Sequence, residues 1–436
     1  MRMLVLGLAA NAQEQANLSP PAEDSDTPMI MNMGEASSTP SFHASSGSSW
    51  QPASVPETLW MIAPDGWDLM AHGTVFITYN HQGGPRGVGK AESTNYLMTM
   101  EQHRLGSGTL LLRQMFSAES LTSPHPGFPE LFQTGETYHE QPLVDHQHPH
   151  NVFSELAALY TVLVSEKVSW LLYGGPSAEP ALGPVTYMHR QSASEDPEAP
   201  LGHHLQDSTH TSFGVVTTGF IFDLSKLNFS KLGALKIEGS AFNAHEPNEE
   251  RWSIQLAPLD SWSFRATSAP TRNWTAQYSY GRLFHPEAID PSNERRQTAS
   301  LEYNREWSAG KLRTGNWATS LIWGRKHKEL ENTTQNSYLL ESTLNFLARN
   351  YAYSRLELVD KDELFPQTPI HPAYRIGAYT FGGVRDLAHN EHWQVGLGGD
   401  VTFYSKPAAL DPIYGNAPVS FHLFVRVRPG SMVHRR

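Results

Sequence analysis

VSFHLFVRVR, residues 419–428, sets Val419, Phe421, Leu423, Val425 and Val427 on one face and Ser420, His422, Phe424, Arg426 and Arg428 on the other. A period of two over ten residues is a β-strand, since successive side chains leave a pleated backbone on opposite sides. The same alternation recurs upstream. Val75, Ile77 and Tyr79 alternate with Phe76, Thr78 and Asn80. Trp274, Ala276, Tyr278 and Tyr280 alternate with Thr275, Gln277, Ser279 and Gly281, and Ala299, Leu301 and Tyr303 alternate with Ser300, Glu302 and Asn304.

Two architectures explain such a pattern. A soluble sandwich buries the apolar face, whereas a transmembrane barrel turns that face to lipid and keeps the polar one in its lumen. Three features favour the barrel. The strands run about 8–14 residues, near the membrane-spanning length. Trp170, Trp262, Trp274, Trp317, Tyr338 and Trp393 stand at or near strand ends, where interfacial girdles lie. Full charges occupy mid-strand polar positions: Lys236, Glu238, Arg265, Glu302, Arg355, Glu357, Asp400 and Arg426. A wet lumen accommodates these, and they are read as lumen-lining.

The connections add a rhythm. Short links (Leu105–Ser107, Ser165–Lys167, Thr271–Arg272, Leu387–Glu391) alternate with long ones (82–92, 118–150, 176–210, 245–260, 283–295, 361–373, 405–417). Short periplasmic turns and long outer loops produce this rhythm. The expected fold is all-β: a transmembrane antiparallel up-and-down β-barrel of about sixteen strands, within twelve to eighteen, over residues 59–429.

The rest of the chain is read around that barrel. Residues 1–12 have the form of a secretory signal with a short apolar core, Leu4–Ala10, and an A-x-A site at Ala10–Ala12. Residues 13–58, rich in Pro, Ser, Ala and Thr, are expected to be a disordered periplasmic linker, dispensable for assembly. Residues 430–436 form a basic tail. The chain has 436 residues and no cysteine, which excludes disulfides and thiolate chemistry. Its formal net charge of −12 argues against nucleic acid as a partner.

Chemistry concentrates in two polar stretches, GETYHEQPLVDHQHPHN (135–151) and GHHLQDSTHTS (202–212), which hold most of the eight histidines found between residues 139 and 210, out of 21 in the chain. Pro142, Pro149 and Gly202 break any regular period, so both are loops. Imidazole with carboxylate suits Cu or Zn. The candidate ligands are His139, His146, His148, His150, His203, His204 and His210 with Asp145 and Asp207, and Glu136 as an outer partner. The other reading is that these histidines bond loop carbonyls and carboxylates and hold a long loop in the lumen. Both loops leave the same rim, so their histidines can meet across the gap, and protonation below about pH 6 would weaken such a site. Met29, Met31 and Met33 are a soft-metal candidate, since thioether sulfur favours Cu(I). Asp207, Ser208 and His210 have the residue types of a hydrolase triad, but no G-x-S-x-G turn accompanies them.

Several segments carry a resemblance: Gly83–Gly87 (GGPRG), 133–151, 179–219, 242–252 (FNAHEPNEERW) and 420–429. In these the chain resembles uncharacterised bacterial outer-membrane β-barrel proteins often met beside heavy-metal, notably copper, efflux genes. The resemblance implies export and a barrel in the outer membrane. The expected function is passage of a small solute or metal ion through a porin-like barrel. The alternatives are a barrel-anchored surface metal-binding protein and, from another class, an outer-membrane esterase or lipase. No catalytic residue is assigned. Expected partners are outer-membrane lipid and the solute or ion, with a homo-oligomer left open.

Overall fold

The computed structural model describes residues 44–430 except 57, 140, 209–212, 228–232, 309–313 and 368–371. The signal, Met29, Met31, Met33, His210 and residues 431–436 of the basic tail lie outside the described residues.

Sixteen long strands follow one another around a single antiparallel sheet: β1 (Trp67–His81), β2 (Asn95–Leu105), β3 (Gly108–Phe116), β4 (Phe153–Ser165), β5 (Val168–Ser177), β6 (Val215–Asp223), β7 (Ala234–Phe242), β8 (Ser261–Thr271), β9 (Trp274–Leu283), β10 (Glu294–Trp307), β11 (Gly315–Lys328), β12 (Thr333–Phe346), β13 (Asn350–Lys361), β14 (Tyr374–His389), β15 (Trp393–Ser405) and β16 (Val419–Pro429). The ring closes where β16 pairs with β1, from Val75 opposite Val427 to His81 opposite Phe421. Closure leaves no unpaired edge in the ring. The alternating stretches 75–80, 274–281, 299–304 and 419–428 all lie in strands, and the first of these strands extends back to Trp67.

The alternation read from the sequence sorts outside from inside. On β16, Leu423 is 59% exposed on the outer wall, while His422, Phe424 and Arg426 are buried inside. Ile77, Leu321 and Phe381 project outward in the same way, and Trp262, Trp274, Trp317, Tyr338 and Trp393 are exposed near strand ends. An exposed apolar band of this kind marks a surface made for lipid or a partner rather than water. No helix among the described residues is long and apolar enough to cross a membrane.

The interior differs from expectation. Lys236, Glu238, Arg265, Glu302, Arg355, Glu357, Asp400 and Arg426 do face inward, but all are buried, not bathed in a wet channel. The reason is the link from β5 to β6, whose residues 178–208 cross the lumen and meet the charged wall strand by strand. Ala181 N donates to Ser240 Oγ on β7 (2.7 Å), Arg265 on β8 donates to the Gly183 carbonyl (2.9 Å), and Gly183 N donates to Ser279 Oγ on β9 (2.9 Å). Arg190 then pairs with Glu341 on β12 (2.7 Å), Asp196 with Arg355 on β13 (3.1 Å), and Glu195 with Arg426 and Arg428 on β16. Buried ions are tolerated only when paired; this link supplies partners to Glu341, Arg355, Arg426 and Arg428, while Lys236, Arg265 and Glu238 pair within the wall. It is called the plug below.

Residues 44–56 of the expected linker form a second insertion; residues 13–43 of it lie outside the described residues. From Ala44 onward the chain lies in the other end of the barrel. Trp50 packs with Leu171, Ile221, Ala234 and Ala269. Arg113 donates to the Gly47 carbonyl and Lys236 to that of Ser48. Ser54 N donates to the Arg272 carbonyl in the β8–β9 turn (2.9 Å), and Ser54 Oγ to the Asn304 carbonyl (2.8 Å). Composition suggested disorder because this segment offers little apolar surface of its own; the barrel wall provides the partners. His422, a polar-face residue on which substitution would be mild in a water-filled lumen, is likewise held, 2.8 Å from Asp400 and 3.7 Å from Glu198.

Candidate functional site

The link from β3 to β4, residues 117–152, forms a cap over the loop end of the barrel. Leu131 and Phe132 anchor it in a cluster with Val359, Ile376, Leu410 and Tyr414. Asp145 fastens it: its carboxylate accepts from Phe132 N (2.8 Å) and pairs with Arg86 (2.6 Å), and Tyr414 OH donates to it (3.4 Å). Asp145 is therefore a structural tie rather than a ligand. Arg86 comes from the Gly83–Gly87 turn, which explains why that turn must be tight: a Cβ on Gly84, at φ +79°, would sit 2.4 Å from the Tyr414 carbonyl.

Cap and plug meet at three histidines. His148 comes from the cap; His203 and His204 open a single helical turn, His203–Gln206, in the plug. One ring nitrogen from each lies within 4.8 Å of the other two. The His203 and His204 ring centroids are 4.1 Å apart, and His148 is 5.7 Å from His204. His203 Nδ1 sits 2.7 Å from the Pro200 carbonyl, an arrangement that gives Nδ1 the proton and leaves Nε2 the lone pair. His148 Nε2 is 2.9 Å from Glu136 Oε1. Burial pushes Glu136 up, but Arg251 and His148 override it and hold the carboxyl at about 2. Burial lowers His148 against the pull of Glu136, and lowers His203 well below the ordinary imidazole value, with His148 adding to it. Neutral imidazole is the form that ligates a metal.

The other candidates do not join this group. His150 lies against Glu119 (2.6 Å) and the Tyr187 hydroxyl (3.3 Å). His146 Nδ1 faces the Val144 carbonyl (3.0 Å), and His139 sits on the exposed rim near Glu249 (3.2 Å). Asp207 accepts from Arg190 (3.1 Å) and from Tyr187 N (3.3 Å), so it holds the plug and orients no histidine as a hydrolase triad requires. HQHPH has its three histidines on one side only if extended; Pro149 turns the chain, and each ring goes to a different partner.

Sequence reasoning missed Arg190 as the central tie of the plug, and Arg251, read as part of an outer loop, as the cation that keeps Glu136 ionised. It also missed a small cavity of about 20 Å³ between cap and plug, lined by Glu92, Glu119, Glu130, Glu198, His148 and His150 among others. Burial raises Glu92 to about 7 and Glu198 to about 8 there, and Glu130 well above the usual carboxylate range. No local signal marks these residues; they come from three separate links.

No protein-family model matches the chain, and no curated protein matches it. Solved structures similar to it include an anion-selective porin from Comamonas acidovorans (10% identity, 83% of this chain and 99% of the porin, TM-score 0.49). Others are OmpF of Salmonella typhi in complex with daunomycin (9%, 84% and 99%, 0.48) and OprB of Pseudomonas putida at high pH (8%, 84% and 94%, 0.49). Likeness this distant carries no functional inference, and the sixteen-strand ring rests on its own continuous pairing register.

Proposed function

We propose that this chain is a porin-like barrel of the bacterial outer membrane that is held closed by its own loops, and that a small solute or ion crosses it when the plug leaves the lumen. The observation that carries this reading is that charges of the inner wall find partners in one link, 178–208, as well as in the wall: Glu341 in Arg190, Arg355 in Asp196, and Arg426 and Arg428 in Glu195. A barrel meant to stay shut has no need of charges on its inner wall, because apolar packing closes a lumen at lower desolvation cost. Ion pairs between a movable link and a fixed wall, by contrast, leave a charged, water-compatible channel when the link departs. Planar-bilayer recording is the direct test: long closed periods with discrete openings support the reading, and a constantly open pore contradicts it.

Membrane residence has its own test. Leu423→Arg places a charge at the middle of the outer face of β16 and is expected to cost about 2–4 kcal/mol in assembly, against about 0–1 kcal/mol for Leu387→Arg near the turn end. Heat-modifiable migration after folding into vesicles measures both. Equal behaviour of the two variants would refute a lipid-facing β16.

The plug also predicts a pH dependence. Burial pushes Asp196 up to about 6, with Arg355 and His422 opposing and Asp400 reinforcing the shift. Burial pushes Glu198 to about 8, with Asp196 and Asp400 reinforcing and His422 and Arg355 opposing. Gln82 bonds the same Glu198 carboxyl (3.1 Å), and Glu130 interacts with it from the cap. A carboxyl raised in the folded state gives stability that is complete below its ordinary value and lost as pH rises through the raised one. Openings should therefore become more frequent between about pH 6 and pH 8 and stay rare at pH 5. An open probability that falls over that interval would count against the plug.

A further inference from the structure

The three histidines shared by cap and plug have a use that closing the barrel does not explain. Two features of their surroundings decide what it is. His148 has an oxygen at each ring nitrogen: the Pro149 carbonyl 3.0 Å from Nδ1 and Glu136 Oε1 2.9 Å from Nε2. A neutral imidazole has one N–H, so a second cation, proton or metal, belongs on one of these contacts. Arg251 holds the far oxygen of Glu136, Oε2, and thereby turns Oε1 towards His148. On the plug side the Pro200 carbonyl commits His203 Nδ1 as donor and leaves Nε2 to accept. The second feature is Gly135. An added Cβ would stand 3.1 Å from Cγ of His204, and the backbone there has φ +117°, a conformation that side chains rarely adopt. The cap backbone passes close to the His204 ring where only glycine leaves it room.

We infer that His148, His203 and His204 bind one divalent transition-metal ion, with Glu136 held against His148 as an outer partner, and that the ion joins cap to plug. Three imidazoles make an N3 set suited to Zn²⁺, Ni²⁺ or Cu²⁺, with water completing four-coordination. The ring nitrogens, within 4.8 Å of one another, must draw in slightly, because ligands about 2.0–2.2 Å from zinc stand closer than that to each other. Of the three donors His204 is only half-buried, and it sits in a one-turn helix able to make that adjustment. A water-sized cavity borders His148. Binding adds a cross-link between residues 148 and 203 that the ion pairs of the plug do not provide. The inference stands whether or not the barrel conducts, because it is read from binding alone.

The test is calorimetric titration of Zn²⁺ into the full chain folded in detergent, with Co²⁺ visible absorption as an independent report of four-coordinate geometry. One ion per chain is expected. His203→Ala and His204→Gln should each weaken binding by at least about tenfold, and Glu136→Gln by about 10–100-fold. His139→Ala and His146→Ala, whose rings lie elsewhere, should bind as the unaltered chain does. Gly135→Ala should weaken binding with all ligands intact, which separates a displaced His204 from a lost one. Heat-modifiable migration confirms that each variant has folded, and if His203→Ala does not fold, His204→Gln and Gly135→Ala decide the matter. Absence of Zn²⁺ binding at millimolar concentration, or equal uptake by the unaltered chain and the folded His204→Gln and Gly135→Ala variants, would overturn the inference.

Discussion

A chain carrying Arg190→Ala is expected to assemble as a barrel and to open far more often than the unaltered one. Arg190 is fully buried in the lumen. Its guanidinium reaches Glu341 (2.7 Å), Asp207 (3.1 Å) and the Val185 carbonyl (2.8 Å). Removing it leaves Glu341 with Arg355 at 3.7 Å and the Ser192 hydroxyl at 2.8 Å, but leaves Asp207 buried without its cation. Breaking a buried pair from one side costs about 3–5 kcal/mol. That cost falls on the plugged state and not on the ring, whose backbone ladders do not involve Arg190. Arg190→Lys keeps the charge but loses the fork that reaches two carboxylates at once, and should fall between. Single-channel recording and protease cleavage within 178–214 read the effect. If neither changes, Arg190 does not hold the plug.

The second large effect concerns the N-terminal insertion. A chain that begins at residue 59 is expected to fold less stably and to leak at the turn end. It lacks Trp50, which is 7% exposed, and loss of a buried Trp side chain costs about 3–5 kcal/mol. It also lacks the Gly47 and Ser48 carbonyls that receive Arg113 and Lys236. Arg113 retains a 3.8 Å contact with Glu155, and Lys236 keeps Glu238 at 3.1 Å. The expected signature is a lower melting temperature together with a conductance the full chain does not have. A truncated barrel with unchanged melting and no added conductance would restore the reading of this segment as a dispensable linker.

The two effects mark the boundary of what is legible in one dimension. The ring was legible. Each strand carries its own evidence, since a pleated backbone turns every second side chain the same way, and sixteen such stretches with alternating short and long links determine order, pairing and closure. The inward direction of Lys236, Arg265 and Arg426 was legible for the same reason. That both histidine loops leave one rim followed from parity.

What the periodicity does not encode is the filling of the barrel. Arg190 meets Glu341 at a separation of 151 residues, and Ser54 meets Asn304 at 250. Such contacts leave no trace in the local pattern of either segment. In residues 44–56 the one large apolar signal is Trp50, too little to set against a Pro- and Ser-rich composition. In the cap, spacing alone put His146, His148 and His150 together, whereas the turn at Pro149 sends them to a carbonyl, a carboxylate with two distant histidines, and a second carboxylate. The sequence by itself determined the wall, because a strand's two faces are a local property. The tertiary structure decided what occupies the lumen and which histidines share a site, because those choices depend on partners that become neighbours only after the ring has closed.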